Sequence, residues 1–251
     1  MIGFKKIVQI LSIIAIFHQF LPAQGKKMQI FSTNGTVITL PVAYIDSINF
    51  VDIIAPIEQG IVTDIDNNTY ATVKIGDQWW MAENLRVTHY RNGDPIPKVT
   101  DNTEWDNLTT GAYCYYNNID SNGVIYGALY NKYAAFNSRN IAPAGWHHAT
   151  DDDWNKLIDN LGLSGFYGQE GLALKSTTGW LYNGNGIDCF GFNALPTGIR
   201  ASHIGFNLIG NATIFYSNSL YSIWALNSSH EIIQMHDMPD NNGYSIRCVK
   251  D

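Results

Sequence analysis

The densest run of potential metal ligands and proton carriers is His147-His148 followed closely by Asp151-Asp152-Asp153. Imidazole nitrogens and carboxylate oxygens together could hold zinc or another divalent ion. Adjacent histidines point different ways, however, and carboxylates are what the positive start of a helix attracts. Capping therefore outweighs ligation here. Asp64-Ile65-Asp66-Asn67-Asn68 places oxygens at the first, third and fifth positions of a calcium loop, but Thr69 and Ile75 stand where that loop needs Gly and Glu. A turn rich in Asp and Asn is the expected structure. His203, His230 and His236 read as surface histidines. The chain has no Gly-x-Ser-x-Gly elbow, no His-Glu-x-x-His helix and no phosphate loop. The sequence thus nominates no catalytic residue, no metal ligand and no cofactor.

Two cations and four aromatic rings stand out for other reasons. Arg200 and Arg247 fall in otherwise apolar runs, where a buried charge needs a partner. Glu83 is the carboxylate expected to form a structural ion pair with one of them. Trp180 and Tyr182 flank a glycine-rich stretch where a flat platform for a sugar ring could sit, and Tyr221 and Trp224 follow in a later apolar run. These four are the candidate ligand-stacking residues, although core packing is the commoner use of any such ring.

The elements that must carry these residues begin after a segment of another kind. Residues 1–24 run from Lys5-Lys6 through an apolar stretch, Ile7 to Phe20, to Leu21-Pro22-Ala23. That order is expected of a secretory signal peptide. The stretch is short of the roughly 20 residues of a membrane span, so no transmembrane segment is expected once the signal is removed. Lys5 and Lys6 are its only charged residues, so removal takes the formal charge from -7 to -9. A chain this acidic disfavours nucleic acid and anionic membranes as partners.

Residues 25–54 are expected to form a small β leader unit. Asn34-Gly35 separates two strand-like runs, Pro41 closes the second, and Tyr44–Phe50 alternates again. Residues 55–61 read as a linker and 62–251 as the main domain. Strands are expected around 62–70 and as a hairpin about Gly76-Asp77. One helix is expected over 128–137, with Leu129, Tyr133 and Phe136 on its buried face. A second starts at Thr150 with Asp153 as capping-box partner, buries Trp154, Leu157, Ile158 and Leu161, and ends at Gly162. Glycines then recur from Gly165 to Gly186, which predicts long irregular loops. Strand-like runs return at 192–195, 205–208, 214–217, 221–226, 231–235 and 244–249. Helices segregated from an antiparallel sheet make an α+β domain.

Six blocks within this domain carry a resemblance: IGDQWWMAENLR (75–86), GAYCYYNN (111–118), YGALYNKYAAFN (126–137), APAGWHHATDDDW (142–154), GFNALPTGIR (191–200) and GYSIRCVKD (243–251). Together they resemble the Fibrobacter succinogenes major paralogous domain family, a module of secreted and surface proteins in Bacteroidetes-type bacteria. GWHHATDDDWNKL is also similar to a helix start in formylglycine-generating enzymes. The resemblance implies a C-type-lectin-like fold and a location outside the cell or on its outer surface. The family commonly carries Cys where Ala142 stands, so Cys248 lacks its usual counterpart and a Cys189–Cys248 disulfide is one expectation. Buried free thiols are the other; three cysteines allow at most one internal bridge, with one thiol left over. The close cysteine pair of the formylglycine-generating enzymes is missing, as are the calcium-loop motifs of C-type lectins. The expected function is a non-catalytic binding module with a glycan or a surface protein as partner. An extracellular carbohydrate-active or metal-dependent hydrolase and a structural domain of the cell envelope are the alternatives.

Overall fold

A computed structural model describes residues 27–31, 37–41, 57–219, 222–229, 232–236 and 241–251, and the chain divides into two units at Asp52. In the first, β1 (Lys27–Phe31) and β2 (Val37–Pro41) pair antiparallel, with Met28 opposite Leu40. β2 ends at Pro41, which has no N–H for a further rung. The Asn34-Gly35 turn, the strand expected at 44–50 and the signal segment lie outside the described residues. No helix among the described residues is long and apolar enough to cross a membrane.

The second unit is α+β. Its first sheet has the order β3 (Gln59–Thr63), β4 (Thr69–Ile75), β5 (Gln78–Met81), β14 (Cys248–Lys250), β8 (Trp146–His148), antiparallel throughout. β3 therefore begins inside the segment expected as linker. The second sheet runs β10 (Gly205–Ile209), β9 (Thr197–Ala201), β11 (Ala212–Tyr216), β12 (Ser222–Asn227), β13 (Ile232–His236). It is antiparallel except where β9 and β11 meet at Gly198 and Thr213. A third pair, β6 (Tyr113–Cys114) with β7 (Leu129–Tyr130), is two residues long. The segment before β14 stitches these together through bridges of Gly243 to Arg200, Tyr244 to Tyr130 and Ser245 to Phe215.

Five α-helices are described, not two. Four are short: α1 (Asn102–Asp106), α2 (Asp120–Tyr126), α3 (Lys132–Ala135) and α5 (Glu170–Leu174). The helix expected over 128–137 is corrected to a strand followed by one turn, because Tyr130 exchanges backbone hydrogen bonds with Tyr244. α4 (Asp151–Leu161) forms as expected. The Thr150 hydroxyl accepts from the Asp153 N–H while the Asp153 carboxylate accepts from the Thr150 backbone, and Trp154, Leu157 and Leu161 are buried. It ends at Gly162 as expected, although that glycine stays right-handed and leads into a π turn. The chain breaks at Gly165, whose φ of 90° is open to glycine.

The core has a Trp-rich centre between α4 and the sheets. Trp154 packs on Trp80 at 4.9 Å, on Phe215 at 5.3 Å and on Trp224 at 5.8 Å. Tyr70, Met81, Tyr130, Ile246 and Cys248 belong to a second cluster, and Trp105, Cys114, Tyr116 and Leu129 to a third. The third lies beneath the candidate site. There β9 and β10 come so close that a Cβ on Gly198 would stand 2.5 Å from the Asn207 carbonyl oxygen.

Candidate functional site

Three loops meet around an open groove of about 490 Å3. Thr100, Asp101 and Asn102 form one wall, Asn117 and Asn118 another, and the turn at Ile204, Gly205 and Phe206 completes it. The first wall is the entry to α1, where Asp101 as N-cap accepts from the Glu104 N–H at 2.8 Å. Asn117 and Asn118 adopt left-handed backbone, with φ of 53° and 56°, which the short polar side chain of Asn tolerates. Asn118 Nδ2 donates to the Thr100 carbonyl at 3.0 Å and so ties the two walls together. The third wall is anchored from behind, where the Ser202 hydroxyl and His203 N–H donate to the Asp106 carboxylate.

Arg200 backs the first wall. It is 1% exposed, and its guanidinium donates to the carbonyls of Val99 (2.7 Å), Thr100 (3.1 Å) and Asp101 (2.9 Å) and to Asn102 Oδ1 (3.0 Å). The Trp105 ring lies 4.3 Å away and the Phe206 ring 5.2 Å away, both within cation–π range. The groove wall is thus set by a rigid planar fork rather than by the loop's own preference.

Arg247 is buried in the same manner at another place. It donates to Asn84 Oδ1 (2.6 Å), to the carbonyls of Met81 (2.7 Å) and Phe192 (2.8 Å), and to Asn193 O (3.2 Å). Burial lowers its pKa to about 9 against the opposing pull of Asp188 and Glu83. The expected ion pair is therefore corrected. Glu83 binds Arg86 at 2.8 Å and the Ala71 N–H at the surface, whereas Arg200 and Arg247 are satisfied by carbonyl dipoles and an Asn each. A five-donor fork can collect several carbonyls at once, which a lone carboxylate does not require of it.

A family model for the Fibrobacter succinogenes major domain matches residues 73–250. The chain belongs to that family. No curated protein and no solved structure matches it. The groove lies wholly inside the matched stretch, and both buried arginines come from blocks that suggested the family, GFNALPTGIR and GYSIRCVKD.

The aromatic candidates fare differently from expectation. Trp180 and Trp224 are corrected to core residues. The Trp180 indole N–H is shared by Ser176 Oγ and the Ala194 carbonyl, each at 3.1 Å, and that of Trp224 reaches Asp151 Oδ1 at 2.8 Å. A ring enclosed on both faces cannot receive a ligand. Tyr182 is 81% exposed on its loop, and Tyr221 lies outside the described residues. The proposed disulfide is also corrected. All three cysteines are free thiols, with Cys248 buried on β14 and Cys189 beside the Ala173 carbonyl.

His147 and His148 do face opposite ways. His147 Nε2 meets Asp153 at 2.9 Å and Nδ1 meets Asp251 at 2.8 Å. The Asp153 hydrogen bond, and after it that of Asp251, raises its pKa against burial. His148 is enclosed, with Nε2 on the Tyr216 carbonyl, and burial lowers its pKa to about 4. The Asp64 carboxylate caps its own turn through the N–H groups of Asp66 and Asn68, and Asp66 accepts from Thr88 and pairs with His89. A smaller cavity of about 200 Å3 beside Asp66, Arg86 and Asp120 has its charges paired to His89, Glu83 and Lys98.

Sequence reasoning passed over Asp101, Asn102, Asn117 and Asn118. One signal was present, since an Asn-Asn pair closing the GAYCYYNN block marks a left-handed turn. Nothing in the linear order, however, brings 100–102 and 204–206 to it.

Proposed function

We propose that the chain is a secreted or cell-surface binding module without catalytic activity, on a C-type-lectin-like scaffold, that holds a glycan or protein partner in this groove. The observation that supports it most is the backing of the groove by Arg200. A fixed wall of polar groups lowers the ordering cost of binding a ligand. Among the residues lining the groove Asp101 is the one carboxylate, and its Oδ1 is engaged as a helix cap. Glycoside hydrolysis ordinarily needs a pair of carboxyl groups across the scissile bond. The signal-like order of residues 1–24 supports export.

Residues 25–251 tested on immobilised oligosaccharides and in a pull-down from a bacterial surface should show binding. The same protein should turn over no chromogenic glycoside. Reproducible turnover abolished by Asp101→Asn would overturn the reading.

A further inference from the structure

We propose that the groove takes a neutral sugar residue of an oligosaccharide and takes it without a bridging cation. This rests on the binding-module reading and narrows it to one ligand chemistry.

The walls present amides and a hydroxyl, groups that both donate and accept, as the vicinal hydroxyls of a sugar do. Asn118 supplies the sharpest demand. Its Nδ2 is committed to the Thr100 carbonyl, while its Oδ1 is shielded from solvent and accepts from no described residue. A buried acceptor without a donor is unfavourable by about 1–3 kcal/mol, and an outward rotation of the side chain would bring it to a ligand hydroxyl that relieves this cost. The third wall adds an apolar surface. Ile204 is 72% exposed, and Phe206 is half-buried beside it. A pyranose offers the matching surfaces, with C–H groups on its faces and hydroxyls on its rim.

Charge narrows the class further. A metal ion would approach the buried guanidinium of Arg200, and that guanidinium already occupies the carbonyls of Thr100 and Asp101 and the side-chain oxygen of Asn102. Oxygens so engaged are poor ligands for a hard cation. An anionic sugar would meet Asp101 at the wall and a chain of formal charge -7 around it. A neutral ligand meets neither obstacle. A protein partner would need a pocket for an apolar anchor, and this lining is mostly polar.

The test titrates residues 25–251 with the neutral hexamers of glucose, mannose and xylose and with hexagalacturonate, each with calcium and with EDTA. Asn118→Gly keeps the left-handed backbone and removes the amide; Ile204→Ala trims an exposed side chain and should leave thermal stability unchanged. At least one neutral hexamer should bind equally in calcium and EDTA, and each substitution should weaken it about tenfold, which is 1.4 kcal/mol. Binding limited to hexagalacturonate, binding lost in EDTA, or binding indifferent to both substitutions would overturn the assignment while the binding-module reading stands. Failure of every hexamer, with a captured surface protein whose affinity falls on Ile204→Ala, would give the groove to protein. Turnover is the separate result that removes the module reading itself.

Discussion

Arg200 is enclosed, yet among the described residues no carboxylate lies within ion-pair distance of it. The physical alternative is a set of backbone carbonyls, which carry no net charge and need no desolvated anion beside them. The arrangement depends on the fork. A lysine ammonium has three donors on a flexible stem and cannot reach all four oxygens that Arg200 holds. Arg200→Lys should leave at least one buried acceptor open and lower the urea-derived stability by about 2–3 kcal/mol. Arg247→Lys should lower stability to a similar degree, because three of its four hydrogen bonds are buried. The two part company in binding. Arg200→Lys should also weaken ligand affinity at fixed folded fraction, while Arg247→Lys should leave it unchanged. Equal affinity for both variants would separate Arg200 from the groove.

At the scale of elements, local signals succeeded where the element is held by its own residues. α4 was legible because the Thr150–Asp153 cap and the spacing of Trp154, Leu157 and Leu161 all lie within twelve residues of one another. The 128–137 segment was not, since its helical spacing lost to pairing with Tyr244, more than a hundred residues on. Trp180 and Trp224 misled for the same reason, as the partners that bury them come from other elements. The join of α4 to β8 and β14 makes the pH prediction. His147 stands between Asp153 and Asp251, and only the imidazolium donates through both ring nitrogens. The raised pKa of His147 means its contribution is complete below the ordinary value of 6.5 and fades as pH climbs through the raised value. Asp153 is buried, which opposes ionisation, but the His147 and Thr150 hydrogen bonds win and lower its pKa to about 2. Its contribution is therefore complete above 3.8 and is lost as pH falls through 2. These are two ends of one contact, intact between about pH 4 and 6.5. His147→Gln should lower stability by about 1 kcal/mol at pH 5.5, and the deficit should shrink by pH 9. A deficit that does not change with pH would mean the ring acts by packing alone.

At the largest scale the question is what holds the two five-stranded sheets and the helices of the second unit together. The segment from Gly243 to Lys250 bridges β9, β7 and β11 and then enters the first sheet between β5 and β8. Chain crossing and packing therefore do what a covalent link might have done. Counting cysteines left the choice between a bridge and free thiols open, because spacing along the chain says nothing about Cβ geometry. Fold settles it through burial. Cys114 and Cys248 are enclosed, and burial raises the pKa of both Cys114 and Cys189 to about 11 and that of Cys248 further. Thiols so rarely ionised are slow to exchange even in an oxidising compartment. A Cys189–Cys248 bridge would close a long loop and contribute about 4 kcal/mol, worth roughly 10 °C of melting temperature in a domain of this size. Excess reductant should instead leave the melting temperature of the protein unchanged. A thiol reagent should react slowly with the native chain and count three groups after denaturation without reductant. One group counted, together with a melting temperature that falls by several degrees in reductant, would show that a bridge and not the C-terminal crossing ties the sheets together.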